Sequence, residues 1–316
     1  MIRRHVVRSS HVALTGVVNF ESQPALPLFI STAKINVKPP GGGRALSMSV
    51  KHFLRTCFRH AGWDIKKFDP RSSEASQLVR QLRVHQIDVV FDVGANIGQF
   101  AEKLRDAGFS GRIISFEPST AAHSTLSKHA RRKANWIISP QMALGDHDGT
   151  ITLNLAGNSV SSSVLPMLPS HVRAETKSRY VGSEVVDLRT LDSVSTEFAT
   201  DTDRIFLKLD VQGFEYKVLQ GAEQFLSRVA GIQLELSLVP LYDGEHLFHP
   251  MVHDLEERGY DLWSLIPGLV DSDTGRLLQL DAIFFRKEPV LVAGPITRPE
   301  SATIQSLTEV IHAPQD

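Results

Sequence analysis

From Arg71 to Arg286 the sequence alternates short β-branched runs with amphipathic helical stretches, which commits the chain to βα units around a mostly parallel sheet. The predicted strands are Asp88–Val93, Arg112–Phe116, Trp136–Met142, Arg204–Leu209, Ile232–Ser237, Tyr260–Leu265 and Leu280–Arg286. Between them the pattern predicts helices over Ser72–His85, Gly98–Asp106, Ser119–Arg131, Gly213–Leu226 and Met251–Arg258. The expected fold is therefore α/β, a seven-stranded sheet with helices on both faces. Asp146-His147-Asp148-Gly149 is a turn signal, and Thr150–Leu155 after it reads as an extra hairpin arm. From Ala156 to Tyr180 no period holds, and Ser159, Ser161, Ser162 and Ser163 cluster there with Pro166 and Pro169. Long irregular segments inside a domain are typical of functional loops.

The sheet does not use the whole chain of 316 residues. Residues 1–47 carry Arg3, Arg4, Arg8, Lys34, Lys38 and Arg44 against Glu21 alone, and close on Pro39-Pro40-Gly41-Gly42-Gly43. They read as a disordered or non-native extension, although the Arg- and Ser-containing, acid-poor start also resembles a transit peptide. Residues 48–70 open on a basic amphipathic pattern at Met48–Phe58, and Met48 is an alternative translation start to Met1. The domain itself is expected over 71–288, followed by a tail over 289–316 containing Pro295 and Pro299. No run reaches the ~18 uncharged apolar residues of a membrane helix. A net charge of −1 gives no electrostatic reason to expect nucleic acid. A single cysteine, Cys57, excludes an internal disulfide and cysteine-based zinc modules, and suits a reducing cytoplasm.

The chemistry concentrates in Val89-Val90-Phe91-Asp92-Val93-Gly94-Ala95-Asn96-Ile97-Gly98-Gln99-Phe100, a buried strand that enters a glycine turn and then a helix. Such turns lie at the carboxyl edge of the sheet, where free N–H groups of a helix start meet a ligand. Asn96 stands where a dinucleotide fingerprint needs its second glycine, and no Gly-Lys-Ser/Thr follows, so neither a nicotinamide site nor a phosphate loop is indicated. Asp92 suits an ammonium group and opposes a pyrophosphate. Nineteen residues past Gly98, Glu117 ends the second strand in Phe116-Glu117-Pro118, where a carboxylate can accept both hydroxyls of a ribose. An amino-acid end plus a ribose describes S-adenosylmethionine. The plainer alternative is that Asp92 caps the helix and Glu117 is a solvated strand end.

A second strand, Phe206–Leu209, ends in Asp210-Val211-Gln212-Gly213-Phe214-Glu215. Lys208 and Asp210 share one side of it and read either as a buried pair or as catalytic groups, with Asp210 the general base for a hydroxyl. His246, in the loop after Ile232–Ser237, is the second candidate base. His249 and His253 have a ligand-like spacing, but Pro250 places His249 at a helix entry, and no metal site is expected. Glu235, near the end of a central strand, is either paired or functional.

Taken together, Phe-Asp-Val-Gly-Ala-Asn-x-Gly, Phe-Glu-Pro, Ala143-Leu144-Gly145, the serine cluster, Thr190-Leu191-Asp192, Lys208 to Gly213 and Asp281-Ala282-Ile283-Phe284 resemble the FkbM family of S-adenosylmethionine-dependent methyltransferases, over about Asp69 to Lys287. The resemblance implies a Rossmann-like class I methyltransferase fold and O-methylation of a sugar, glycolipid or polyketide-type acceptor. It implies cofactor contacts from Asp92, Gly94, Asn96 and Gly98 to the methionine part, from Glu117 to the ribose, and from Ala143 and Leu144 near the adenine, with Ala95 and Pro118 also among the cofactor-binding residues. Gln212 departs from the family's frequent Glu, which weakens any case for a hard cation beside Asp210 and Glu215. The irregular 156–180 segment and the 239–250 loop are expected to shape the acceptor pocket. The Met48–Phe58 pattern suits contact with a membrane bearing a lipid-linked acceptor, and equally packing on the domain or on a second subunit. The rival readings are a non-catalytic nucleoside-binding protein of the same fold and a nicotinamide-dependent oxidoreductase.

Overall fold

The computed structural model describes residues 34–37, 46–49, 55–56, 58, 73–131 and 133–287. The chain divides into two units, Met1–Phe68 and Asp69–Asp316. In the first unit, β1 (Lys34–Val37) pairs antiparallel with β2 (Leu46–Ser49), with Ile35 opposite Met48. The alternation in Lys-Ile-Asn-Val and Leu-Ser-Met-Ser has a strand's period of two, so Met48 and Ser49 lie in a strand and not at the start of a helix. The rest of the extension expected over 1–47, most of the 48–70 segment and the tail expected over 289–316 lie outside the described residues.

The second unit runs α1 (Glu74–Val84), β3 (Val89–Val93), α2 (Gln99–Asp106), β4 (Arg112–Phe116), α3 (Thr120–Ala130), β5 (Trp136–Ile138), β6 (Ala143–Leu144) and β7 (Gly149–Ala156). It continues through α4 (Pro169–Ala174), β8 (Tyr180–Arg189), α5 (Leu191–Val194), β9 (Ile205–Leu209), α6 (Glu215–Gln220) and α7 (Glu223–Leu226). The last elements are β10 (Val229–Ser237), α8 (Phe248–Glu257), β11 (Tyr260–Pro267) and β12 (Gln279–Arg286). Seven strands form one sheet in the order β5-β4-β3-β9-β10-β12-β11, in which only β12 runs against its neighbours. These are the seven expected strands, and the arrangement is that of a Rossmann-like class I methyltransferase. The chain leaves β3 toward β4 and returns at β9 on the other side of β3. That switch point opens a crevice at the carboxyl ends of β3 and β9.

Strand alternation separates two cores. Val89, Phe91 and Val93 pack with Phe116, Leu207, Leu209 and Phe225 on one face. Val90, Ile113, Phe206 and Phe285 pack with Leu78, Leu82, Leu104 and Leu126 on the other. Along this second face the rows change character toward the carboxyl edge. Ser115, Asp92, Lys208 and Gln233 follow in register across β4, β3, β9 and β10, and Glu235 faces Asp281 one step further along.

Three local outcomes differ from the sequence expectations. The strand expected over Trp136–Met142 ends at Ile138, because Pro140 has no N–H to continue the ladder, and Ala143–Leu144 joins a separate three-stranded sheet, β6-β8-β7. The 156–180 segment contains the short helix α4 and leads into β8, whose outward Val181 and Val185 masked its alternation. The helix expected over Gly213–Leu226 is two helices broken at Gly221, where a Cβ would lie 1.9 Å from the Gly145 carbonyl oxygen. Gly221→Ala must push α6 away from that turn. It should cost about 1–3 kcal/mol as an overpacked contact, read as a lower urea midpoint with an unchanged slope.

Candidate functional site

The turn after β3 is fixed by its backbone. The Gly94 and Ala95 N–H groups both donate to the Phe116 carbonyl at 3.0 Å, and the Asp210 N–H donates to the Val93 carbonyl at 3.1 Å. Gly94 has φ +75°, and a Cβ there would lie 1.9 Å from the Asp210 carbonyl oxygen, so only glycine lets these two strand ends approach. Asn96, also left-handed at φ 49°, donates its N–H to Glu117 Oε2 at 2.7 Å, while Glu117 Oε1 accepts from the Ser119 N–H at 2.9 Å. Burial pushes Glu117 up to about 7, against those two hydrogen bonds.

Over these turns lies a cavity of about 330 Å³. Its wall includes Gly94, Ala95, Asn96, Glu117, Pro118, Ala143 and Leu144, so seven of the nine expected cofactor residues are brought together. Gly98 instead supports the turn from behind: it precedes α2 at φ +99°, and a Cβ there would meet the Trp136 ring at 2.7 Å. Asp92, expected to meet an ammonium group, is fully buried behind the wall, with Oδ1 3.2 Å from Lys208 Nζ and Oδ2 accepting from the Ser115 hydroxyl at 3.3 Å.

Lys208 is the hub of this floor. Its Nζ is 3.3 Å from Asp210 Oδ2 and donates to the Gly94 carbonyl at 3.2 Å. Burial disfavours its charge, but Asp210 and Asp92 more than offset that and hold its pKa above the usual lysine value. For Asp210 burial also works against ionisation, yet Lys208 and Gln212 hold its carboxyl below the usual range. Gln212 Nε2 donates to Asp210 Oδ1 at 2.8 Å and also to Glu235, and Gln212 Oε1 accepts from the Tyr242 hydroxyl at 2.7 Å. Of the two readings left open for Glu235, it is therefore paired.

His246 is not at the cavity. Its ring stacks on Tyr216 at 3.9 Å and 7°, while Leu241 and Tyr242 of the same loop are the residues turned inward. No residue of the 239–250 loop lines the wall, and that loop acts through Tyr242 instead. The serine cluster does line it: Ser159, Val160, Ser162, Ser163 and Val164 form one side, and the Ser163 hydroxyl donates to the Gln212 carbonyl at 2.7 Å. His253 pairs with Glu257 on the surface, and no cluster able to hold a metal occurs among the described residues. Sequence reasoning missed Gln99, Phe100, Lys103 and Gln233, which also line the cavity. Gln233 was signalled by being polar inside an otherwise buried strand, whereas Lys103 gave no sign.

Residues 92–262 match the family described as the methyltransferase FkbM domain. Methyltransferase sdnD of Sordaria araneosa is 30% identical, over 43% of this chain and 60% of its own length, so this chain spans less than two thirds of that relative. Among solved structures, similarity extends to magnesium protoporphyrin IX methyltransferase (ChlM) from Synechocystis PCC 6803 with bound SAM, at 12% identity over 75% of this chain and 96% of that one, TM-score 0.37. It extends also to precorrin-6y C5,15-methyltransferase from Geobacter metallireducens GS-15, at 13% identity over 71% and 93% of the two chains, TM-score 0.37.

Two outcomes follow from the floor. Lys208→Met leaves Asp92 buried without its counter-charge and should cost about 3–5 kcal/mol in urea unfolding, partly restored when Asp92→Asn is added. Glu215, buried under the Val211 and Gly213 N–H groups, is pushed up by burial from 4.5 to about 8. A raised acid contributes stability that is whole below the unfolded value and is lost as pH rises through the folded one. The melting temperature should therefore decline between pH 4.5 and about 8, and Glu215→Gln should flatten that decline.

Proposed function

This chain belongs to the FkbM methyltransferase domain family, and on that premise we propose that it transfers a methyl group from S-adenosylmethionine to a hydroxyl of a sugar, glycolipid or polyketide-type acceptor in the cytoplasm. The observation that carries this reading is the buried Glu117 carboxylate on the cavity wall, tied to the Asn96 N–H beside the glycine turn. Both Glu117 oxygens keep a lone pair for a second partner, which suits a vicinal diol.

The remaining wall fits the rest of the ligand. Phe116, Met142, Leu144 and Phe214 form an apolar slot suited to an adenine, next to Ala143. Asp210, at the other side of the Gly94 turn, supplies negative charge near the place a sulfonium would take. When bound, the cofactor offers a methyl on a cationic sulfur that is already electrophilic. What the chain adds is orientation and exclusion of water: the serine side of the cavity and α2 confine two ligands between them. Asp92 acts from behind the wall by holding Lys208, and Lys208 in turn fixes the Gly94 carbonyl and Asp210. Asp210, with one oxygen toward Lys208 and the other toward Gln212, is an orienting anion in this arrangement.

S-adenosylmethionine at 100 times its dissociation constant should add about 2.7 kcal/mol of stability, a rise of several degrees in melting temperature, while nicotinamide dinucleotides add none. Glu117→Gln should weaken the sulfonium ligand by about 1.5–3 kcal/mol, roughly tenfold or more, in a titration calorimeter. Unchanged affinity in that variant would remove Glu117 from the ribose site.

A further inference from the structure

The acceptor side of the cavity contains a polar arrangement that the cofactor contacts leave unused. Asp281 on β12 and Gln233 on β10 both line the wall, beside Phe100 and Lys103 of α2. Gln233 is 5% exposed, its Oε1 is buried with no hydrogen-bond partner, and its side chain on the neighbouring strand pulls the Asp281 carboxyl down. That oxygen is closed off from the cavity, so of this pair it is the Asp281 carboxylate that a ligand meets. Asp281 also stands directly opposite Glu235 in the ladder, a like-charge placement that works against the fold.

We propose that Asp281 is the base of the methyl-transfer reaction. This rests on the reading of the cavity as a sulfonium-dependent O-methyltransferase site. Asp210 is the weaker proton acceptor, because Lys208 and Gln212 hold its carboxyl below the usual range, and His246 stacks on Tyr216 outside the cavity wall. In the step, the acceptor O–H bond breaks and its proton passes to a carboxylate oxygen of Asp281. The oxygen keeps the electron pair and bonds to the methyl carbon, and the carbon–sulfur pair stays on sulfur, leaving a neutral thioether.

The groups facing Asp281 set its readiness. Burial and the Asp210 charge push its carboxyl up to about 6, while Gln233, Lys208 and Lys103 pull it down. Glu235 is opposite it from β10, and β11 offers only the apolar Ile266. A carboxylate so placed is ionised near neutrality yet still a competent proton acceptor.

The test uses the full chain, its Asp281→Asn and Asp281→Glu variants, S-adenosylmethionine, and glycerol as the hydroxyl probe. Calorimetry comes first: failure of the wild type to bind S-adenosylmethionine overturns the proposed function itself. With binding equal in wild type and Asp281→Asn, release of S-adenosylhomocysteine should rise through about pH 6 in the wild type. It should fall at least a hundredfold and lose its pH dependence in Asp281→Asn, with the rising limb kept in Asp281→Glu. Equal release from wild type and Asp281→Asn, zero included, overturns the assignment. A second readout needs no turnover. A raised acid loses its stabilising contribution as pH rises through its folded value, so Asp281→Asn should melt higher than wild type at pH 8 and level with it near pH 4. A lower melting temperature at both pH values would mark Asp281 as structural and overturn the proposal.

Discussion

The site depends on one buried ammonium. Lys208 stands in the middle of a parallel sheet, where an unpaired cation would be excluded, and it is tolerated because Asp92 and Asp210 flank it from the adjacent strand and the strand end. That cation also reaches the Gly94 carbonyl, so the same charge that neutralises two carboxylates fixes the turn between β3 and α2. The two halves of the sheet meet at this point. The polar row Ser115, Asp92, Lys208 and Gln233 crosses the topological switch and turns an apolar core face into the floor of a cavity.

Gly94 completes the arrangement by absence. With no side chain it lets the Asp210 backbone come against the turn, which keeps the acid at the end of β9 beside the ligand-facing residues after β3. A second layer holds this from outside: Tyr242 fixes Gln212, Gln212 fixes Asp210, and the Ser163 hydroxyl closes on the Gln212 backbone. The Tyr242 and Ser163 bonds are short-range in space and long-range in sequence.

That distinction explains what could be read without coordinates. The seven strands were legible because buried parallel strands are continuous apolar runs bounded by turns, and the glycine turn beside Glu117 was legible because its backbone geometry is local to two βα units. The places of His246, Tyr242 and Gln233 were not. Whether a loop residue faces a cavity depends on which neighbour it packs against, and Tyr216 claimed His246 while Gln212 claimed Tyr242. Asp92 was legible as a strand-end acid but not as one buried against Lys208, since that partner is 116 positions away. Met48 shows the opposite limit: two competing periodicities overlap there, and the strand pairing with Ile35 decides between them.

The serine side of the cavity is carried by β7 and β8, an insertion between β5 and β9 that belongs to its own small sheet. Its residues enclose the cavity and touch the turns at Asn96 and Gln212, through Ser159 and Ser163, yet the polar row and Glu117 are built without them. The chain thus separates a fixed half from an exchangeable one. Replacement of the hairpin loop, in length or in composition, reshapes the enclosing side of the cavity while the sheet-borne floor stays in place, so a new outline for the cavity within such a scaffold needs loop variation and no redesign of the sheet.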